Sequence, residues 1–308
     1  MNPLIRLIPP PLVRLFARPY VAGDSLAAAM DAAAAELAER GLLATLDLLS
    51  EGVEDDATVE RNVETYLQMV EAAAGDPRFG DGQRPTLSLK LSSYTTDPLE
   101  EGGAAATSRE AAFRIAELAQ ARDVRLSIDM ESRHWTDFTL DTLRELHRAG
   151  HDDIGGVLQT RLHRTRADLD ALPPGCRVRL VIGIYAEPES VATTDKRVMK
   201  ERLLEYGGLL LQRGHYVEFA THDEQYVRRF VDEVVPAGGA GPDRFELQML
   251  YGVPRRKLLA EMVERGIRAR LYVPFATSWD LAVAYLRRRL DEYPAMMFLV
   301  LRNLLRRS

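Results

Sequence analysis

Cysteine is nearly absent: Cys176 is the one thiol in 308 residues. No disulfide can form within the chain, which fits a reducing compartment. A small lone thiol of this kind is usually packing, so Cys176 receives no role. Histidine is scarce too, with six in the chain, and no His-x-His or Cys/His cluster supports zinc. No Gly-x-Gly-x-x-Gly opens a helix, which argues against a doubly wound nicotinamide site. No Gly-x-Ser-x-Gly marks a hydrolase elbow. Positive charge is in deficit: the net charge is −6 and the pI about 5.7. The arginines are spread out, so no nucleic acid partner is expected. Long apolar runs are missing as well. The first 18 residues mix apolar and basic side chains with prolines, and read as an arm, not as a signal peptide or a membrane span. Residues 1–24 are expected to form this arm and residues 25–308 one catalytic domain, in the cytoplasm. No repeat and no Gly-, Ser- or Pro-rich linker divides the rest.

What the chain does have is hydrophobic content of 46%, arranged in a regular alternation. Eight short runs rich in Val, Leu and Ile read as strands: Ala44–Leu49, Leu87–Leu91, Arg125–Met130, Gly156–Gln159, Val178–Gly183, Val217–Thr221, Phe245–Leu250 and Ala269–Phe275. Helical periodicity falls between them, at Val59–Ala74, Arg109–Ala121, Leu140–Ala149, Lys196–Gln212, Tyr226–Val235 and Arg256–Arg265. An extra Ala-rich helix, Ser25–Arg40, precedes the first strand. Strands alternating with helices imply a parallel sheet. Eight of them in about 250 residues imply an α/β fold of the (βα)₈ barrel type.

In such a barrel the chemistry belongs at the C-terminal strand ends. Those ends carry Lys90, Asp129, Met130, Glu131, Gln159, Arg179 to Tyr185, Thr221, His222, Asp223, Gln248 and Tyr272. In Leu87-Ser-Leu-Lys-Leu-Ser92 the leucines take one face, and Ser88, Lys90 and Ser92 the other. If the leucines face the helices, Lys90 points into the barrel, where it must be paired or act as a base. Asp129 is the expected partner. A purely structural ion pair is the competing reading, as a satisfied core histidine is for His222.

After the last strand comes Tyr285-Leu-Arg-Arg-Arg-Leu-Asp-Glu292, on a helical pattern running from Leu281 to before Pro294. Glu292 lies four residues from Arg288 and three from Arg289, so the three side chains can meet. Two planar guanidiniums suit one carboxylate, and Glu292 can hold the fork. A solvated basic helix face is the alternative. The apolar end beginning at Met296 has two readings, core packing or contact with the inner face of a membrane.

The ordered set of motifs resembles the proline dehydrogenases, in particular the short, monofunctional bacterial type, over about Ala22 to Leu305. Ser88-Leu-Lys-Leu-Ser and Ile128-Asp-Met-Glu resemble the segments that carry the family's substrate-site lysine and its partner aspartate. Val157-Leu-Gln-Thr, Arg179-Leu-Val-Ile-Gly-Ile-Tyr185, Phe219-Ala-Thr-His-Asp and Phe245-Glu-Leu-Gln-Met-Leu-Tyr-Gly resemble flavin-binding strand ends. Leu271-Tyr-Val-Pro and the arginine segment resemble the last strand and final helix. The resemblance implies FAD as cofactor, held by Met130, Gln159, Arg179, Ile182, Gly183, Ile184, Thr221, His222 and Gln248. It implies L-proline bound by Lys90, Tyr185, Tyr272, Arg288, Arg289 and Glu292, with Asp129 and Arg179 as catalytic groups. The activity implied is hydride transfer from C5 of proline to FAD N5, giving 1-pyrroline-5-carboxylate, with electrons passing to a quinone. The chain departs from the family motif at Ile182, where a lysine is usual, and at Ile184, Ala276 and Tyr293. Losing a cation beside a flavin would weaken its binding or lower its potential. Three other readings stay open: a flavoenzyme for a different secondary amine or hydrazine-like amino acid, an aldolase using Lys90 as a Schiff base, and a barrel that has lost FAD.

Overall fold

The computed structural model describes residues 19–50, 53–280 and 282–283. Helix α1 (Leu26–Arg40) starts at Ser25, whose Oγ accepts from the Ala28 N–H at 3.2 Å, and ends at Gly41 in the left-handed region (φ 64°). The alternation then runs β1 (Leu43–Leu48), α2 (Asp56–Gly75), β2 (Thr86–Leu89), α3 (Ala106–Ala121), β3 (Leu126–Ile128), α4 (Thr136–Arg148), β4 (Gly155–Gln159) and α5 (Thr165–Asp170). It continues with β5 (Arg177–Val181), α6 (Lys196–Gln212), β6 (Tyr216–Ala220), α7 (Glu224–Arg229), β7 (Phe245–Leu250), α8 (Arg256–Glu264) and β8 (Ala269–Phe275). All neighbouring strands are parallel, and β8 closes on β1 from Leu43↔Arg270 to Leu48↔Phe275. The barrel expected from the sequence is therefore the fold. Strand positions agree within a few residues, and β7 and β8 coincide with the expected runs.

Three differences have local causes. The second run stops short of Leu91 because Lys90 begins a 3₁₀ turn at Leu91–Tyr94. Helix α4 starts before its first regularly spaced leucine, since Trp135 is buried and seats the helix start. The stretch read as one helix at Tyr226–Val235 is α7 followed by a π turn, Phe230–Val234, and a last helical turn, Val235–Ala237. The described end of the expected arm lies on the barrel wall: the Ala22 N–H donates to the Pro274 carbonyl at 2.8 Å, and Val21 is buried. The segment expected as an arginine-bearing helix falls outside the described residues, and Arg288, Arg289 and Glu292 with it. Among the described residues no helix is long and apolar enough to cross a membrane.

The strands bury apolar side chains outward and polar ones inward. Leu87, Leu89, Leu126, Ile128, Val178, Leu180, Val217, Phe219, Leu271 and Val273 join the core between sheet and helices. The interior of such a barrel is ordinarily filled by branched apolar layers. Here its floor is ionic. Arg270 grips Glu246 through Nε and Nη2 at 2.6 and 3.1 Å, and Arg177 Nη1 donates to Glu218 at 2.6 Å. Glu218, Glu246 and Arg270 are each at most 5% exposed, so every charge must be matched. Arg270→Met should strand Glu246 and cost about 3–5 kcal/mol. Urea unfolding of this variant, against an Arg270→Met/Glu246→Met double variant that recovers most of the loss, checks it.

Candidate active site

The upper layer of the interior is built on Asp129, which follows β3 directly. Its Oδ1 accepts from Ser88 Oγ at 2.7 Å and from Arg179 Nη1 at 2.7 Å. Its Oδ2 accepts from the Tyr272 hydroxyl at 2.6 Å and lies 3.4 Å from Lys90 Nζ. Burial would raise this carboxyl, but Lys90 and Arg179 more than offset it and hold it below the usual carboxylate range. Arg179, 4% exposed, crosses from β5 to Asp129, to Ser88 Oγ at 3.0 Å and to Gln248 Oε1 at 2.7 Å. Burial disfavours its charge, yet Asp129 and Glu218 outweigh that and push its pKa up. The Tyr272 hydroxyl is pushed far up, by burial first and then by Asp129 and Asp47, so it stays a donor.

Gln248 ties this layer to the floor. Its Nε2 donates to Glu218 at 2.8 Å and Glu246 at 2.7 Å, while its Oε1 accepts from Arg179. An amide can satisfy two carboxylates and one guanidinium in one orientation only. The formal charges balance across both layers: Asp47, Asp129, Glu218 and Glu246 face Lys90, Arg177, Arg179 and Arg270.

Asp47, on β1, is the residue that sequence reasoning missed. It is 1% exposed and accepts a hydrogen bond from Lys90 Nζ, which the expected partner Asp129 meets as an ion pair at 3.4 Å. Burial raises its carboxyl, and Lys90 offsets this incompletely. The signal was present in Thr45-Leu-Asp-Leu48, which alternates polar and apolar residues. Glu131 is also buried, and its carboxylate holds the β2 turn through the Ser92 N–H at 3.1 Å and the Ser92 hydroxyl.

The remaining expected residues gather at the C-terminal mouth. Gln159 Nε2 donates to the carbonyls of Met130 at 3.2 Å and Glu131 at 2.7 Å. Its Oε1 is buried with no hydrogen-bond partner among the described residues, and Arg179 Nη2 is in the same condition. One wants a donor and the other an acceptor, and both lie in the barrel's upper layer. Gly183 has φ 91°, and a Cβ there would lie 2.3 Å from Gln159 Oε1, so this backbone passes close over the mouth as only glycine allows. Ile182 packs against the core, whereas Ile184 is 48% exposed. Tyr185 is half-buried, with its carbonyl held by Arg161 Nη1. Thr221 Oγ1 accepts from the Asp223 N–H at 3.2 Å, and Asp223 caps α7. Among the described residues no group of three or more acidic, His or Cys side chains could hold a metal ion.

His222 is set as a neutral acceptor. Its Nε2 takes the Leu250 N–H at 2.9 Å, and burial, aided by Arg255, pulls its pKa from 6.5 to about 4. A histidine depressed in the fold binds fewer protons than in the unfolded chain between these values. Stability is therefore full above pH 6.5 and falls as pH drops toward 4. Denaturant midpoints should show up to about 1.4 kcal/mol lost per pH unit in that window. His222→Asn should flatten that part of the slope.

The proline dehydrogenase family model matches residues 30–297. A proline dehydrogenase of Deinococcus radiodurans is 35% identical over 294 residues, covering 93% of this chain and 89% of the relative. Proline dehydrogenase 1 of Bacillus subtilis (strain 168) is 33% identical over 299 residues, covering 96% and 92%. The chain belongs to the proline dehydrogenase family. Among solved structures, proline utilization A from Bdellovibrio bacteriovorus, inactivated by N-propargylglycine, superposes with a TM-score of 0.77 at 19% identity over 90% of this chain. That from Corynebacterium freiburgense gives 0.75 at 20% identity over 95% of this chain. The chain spans 32% of each of those two proteins, and the likeness speaks for the barrel fold.

Proposed function

We propose that this chain is an FAD-dependent enzyme that oxidises L-proline to 1-pyrroline-5-carboxylate in proline catabolism, with residues 25–308 as one catalytic domain. Family membership and the arrangement of Lys90, Asp129, Arg179 and Tyr272 support the reading. The observation that carries it is two of the buried groups without hydrogen-bond partners among the described residues, Gln159 Oε1 and Arg179 Nη2, at the mouth over which the Gly183 backbone passes. These groups suit the polar edge of a flavin. Gln159, Arg179, Gly183, Thr221, His222 and Gln248 would hold the cofactor, with the backbone of Met130, Ile182 and Ile184. When bound, FAD supplies the acceptor for the hydride leaving the substrate's C5.

The chain's own residues bind and orient. Arg288 and Arg289 take the substrate carboxylate, braced by Glu292, which fixes the ring before reaction. Tyr185 and Tyr272 bound the pocket and limit ring size. Arg179 carries positive charge to where electron density accumulates, and Asp129 and Gln248 hold it there. Lys90, on the substrate side, is anchored by two carboxylates. Electrons leave to a quinone-type acceptor. Ile184 and Leu250, 48% and 46% exposed at the strand ends, make an apolar approach that suits one. The apolar end of the chain gives a place for peripheral contact with the inner face of the membrane.

The purified protein should be yellow or turn yellow on FAD titration, and a protein that stays colourless sinks the reading. With a dye acceptor, L-proline should outrun larger rings and open-chain amines. If an amine without a carboxylate is turned over best, a different secondary-amine substrate replaces proline. Arg289→Met should cost about 2–5 kcal/mol in kcat/KM, mostly in KM. Arg289→Lys should cost less, because it keeps the charge and loses only the fork.

A further inference from the structure

Lys90 stands between two carboxylates that are not equivalent. Asp129 accepts from Ser88, Arg179 and Tyr272, and Lys90 lies beside its Oδ2. Three hydrogen bonds and an ion pair hold Asp129 as a carboxylate, which makes it a poor proton acceptor. Asp47 is buried on β1 and accepts a hydrogen bond from Lys90 Nζ, whereas Asp129 meets Nζ only as an ion pair. The charged and titratable groups facing Asp47 are Lys90, Asp129, Tyr272 and, from α2 and the turn after β2, Tyr66 and Tyr94. Burial sets both of those phenols well above their ordinary range, and Asp47 adds to it. None of the three tyrosines competes as a base, and the second carboxylate, Asp129, makes Asp47 more basic.

A secondary amine reaches the site as an ammonium at neutral pH, yet it must give up a hydride from the carbon beside nitrogen. It can do so only as the free amine, whose lone pair stabilises the developing iminium. A third cation beside Lys90 and Arg179 is disfavoured, so the site favours moving its proton elsewhere.

We propose that Asp47 receives this proton through Lys90, as the positioning residue that lets Lys90 deprotonate the substrate. The inference rests on the amine-oxidation reading above. One Nζ–H bond of the Lys90 ammonium breaks first and that proton passes to Asp47 Oδ1. The lone pair this frees on Nζ turns about the Cε–Nζ bond, and the substrate N–H bond breaks as its proton passes to Nζ. Lys90 ends as the ammonium it was, the substrate becomes a neutral amine and Asp47 a neutral carboxyl. No charge is created, and no co-reactant is needed. Asp129 keeps Arg179 and Tyr272 in place throughout.

The test is the pH profile of kcat/KM for L-proline with FAD-saturated enzyme, from about pH 6 to pH 10, in wild type, Asp47→Asn and Asp47→Glu. An internal base of this kind contributes about 10²–10⁴-fold. Wild type should rise with pH and level off below the ammonium pKa of free proline. Asp47→Asn should fall at least about 100-fold at pH 7 and keep rising about tenfold per pH unit without levelling. Asp47→Glu, which keeps the carboxyl, should retain the levelled shape. A ring-fluorinated proline, whose ammonium is more acidic, should recover Asp47→Asn far more than it speeds wild type. Parallel profiles for wild type and Asp47→Asn overturn the proposal while leaving proline oxidation standing. Absence of proline turnover by wild type overturns the oxidation reading itself. If Asp47→Asn does not bind FAD, wild type alone decides: a gain with fluoroproline that tracks the lowered ammonium pKa means no internal acceptor.

Discussion

The buried guanidinium of Arg179 is the group on which the interior depends. It reaches from β5 across the barrel to groups on β2, β7 and the residue after β3. A buried cation at this position is tolerable only with carboxylates in contact, and each carboxylate in turn needs its own donors. The chain of consequences runs downward through Gln248 to Glu218 and Glu246, and from those to Arg177 and Arg270. It runs upward through Asp129 to Tyr272 and Lys90, and from Lys90 to Asp47. The result is a neutral set of charges that no single substitution can leave intact.

This explains why the fold was legible in the sequence. Helices pack on the outside of the sheet, so the outward positions of each strand must be apolar. With the interior ionic, most strands other than β4 alternate, and the alternation in Leu87-Ser-Leu-Lys or Phe245-Glu-Leu-Gln separates the two faces residue by residue. A barrel with an apolar interior would have shown continuous greasy runs instead, with nothing to tell inward from outward. The strand ends were also readable, because Lys90, Asp129, Gln159, Arg179, Gln248 and Tyr272 are polar residues at the limits of apolar runs. The structure brings Lys90, Asp129, Arg179, Gln248 and Tyr272 into one connected network.

What could not be read was pairing. Lys90 has one visible partner because Asp129 sits in a motif, while Asp47 lies 43 residues upstream in an alternating strand that carries no motif. Sequence spacing within one strand gives the face but not the height, and height is set by how each strand is staggered against its neighbours. Asp47 aligns with Ser88, so it lies one step below Lys90 and within reach of its flexible stem. Likewise nothing in the sequence singles out Glu246. Its role appears only when β8 brings Arg270 beside it.

The same stagger separates two duties that composition alone would merge. Carboxylates low in the barrel, Glu218 and Glu246, are saturated by Arg177, Arg270 and Gln248. They fix the position of the amide that fixes Arg179. Carboxylates at the top meet a lysine that is still 16% exposed on its side chain, so their proton affinity can be coupled to whatever enters the mouth. Of those two, the one with three hydrogen bonds and an ion pair is locked as an anion, and the one that takes its hydrogen bond from the lysine is not. A charge-balanced interior thus has a rigid end and a responsive end. Which end an acid occupies follows from its height on the strand, and only the upper pair can take part in chemistry.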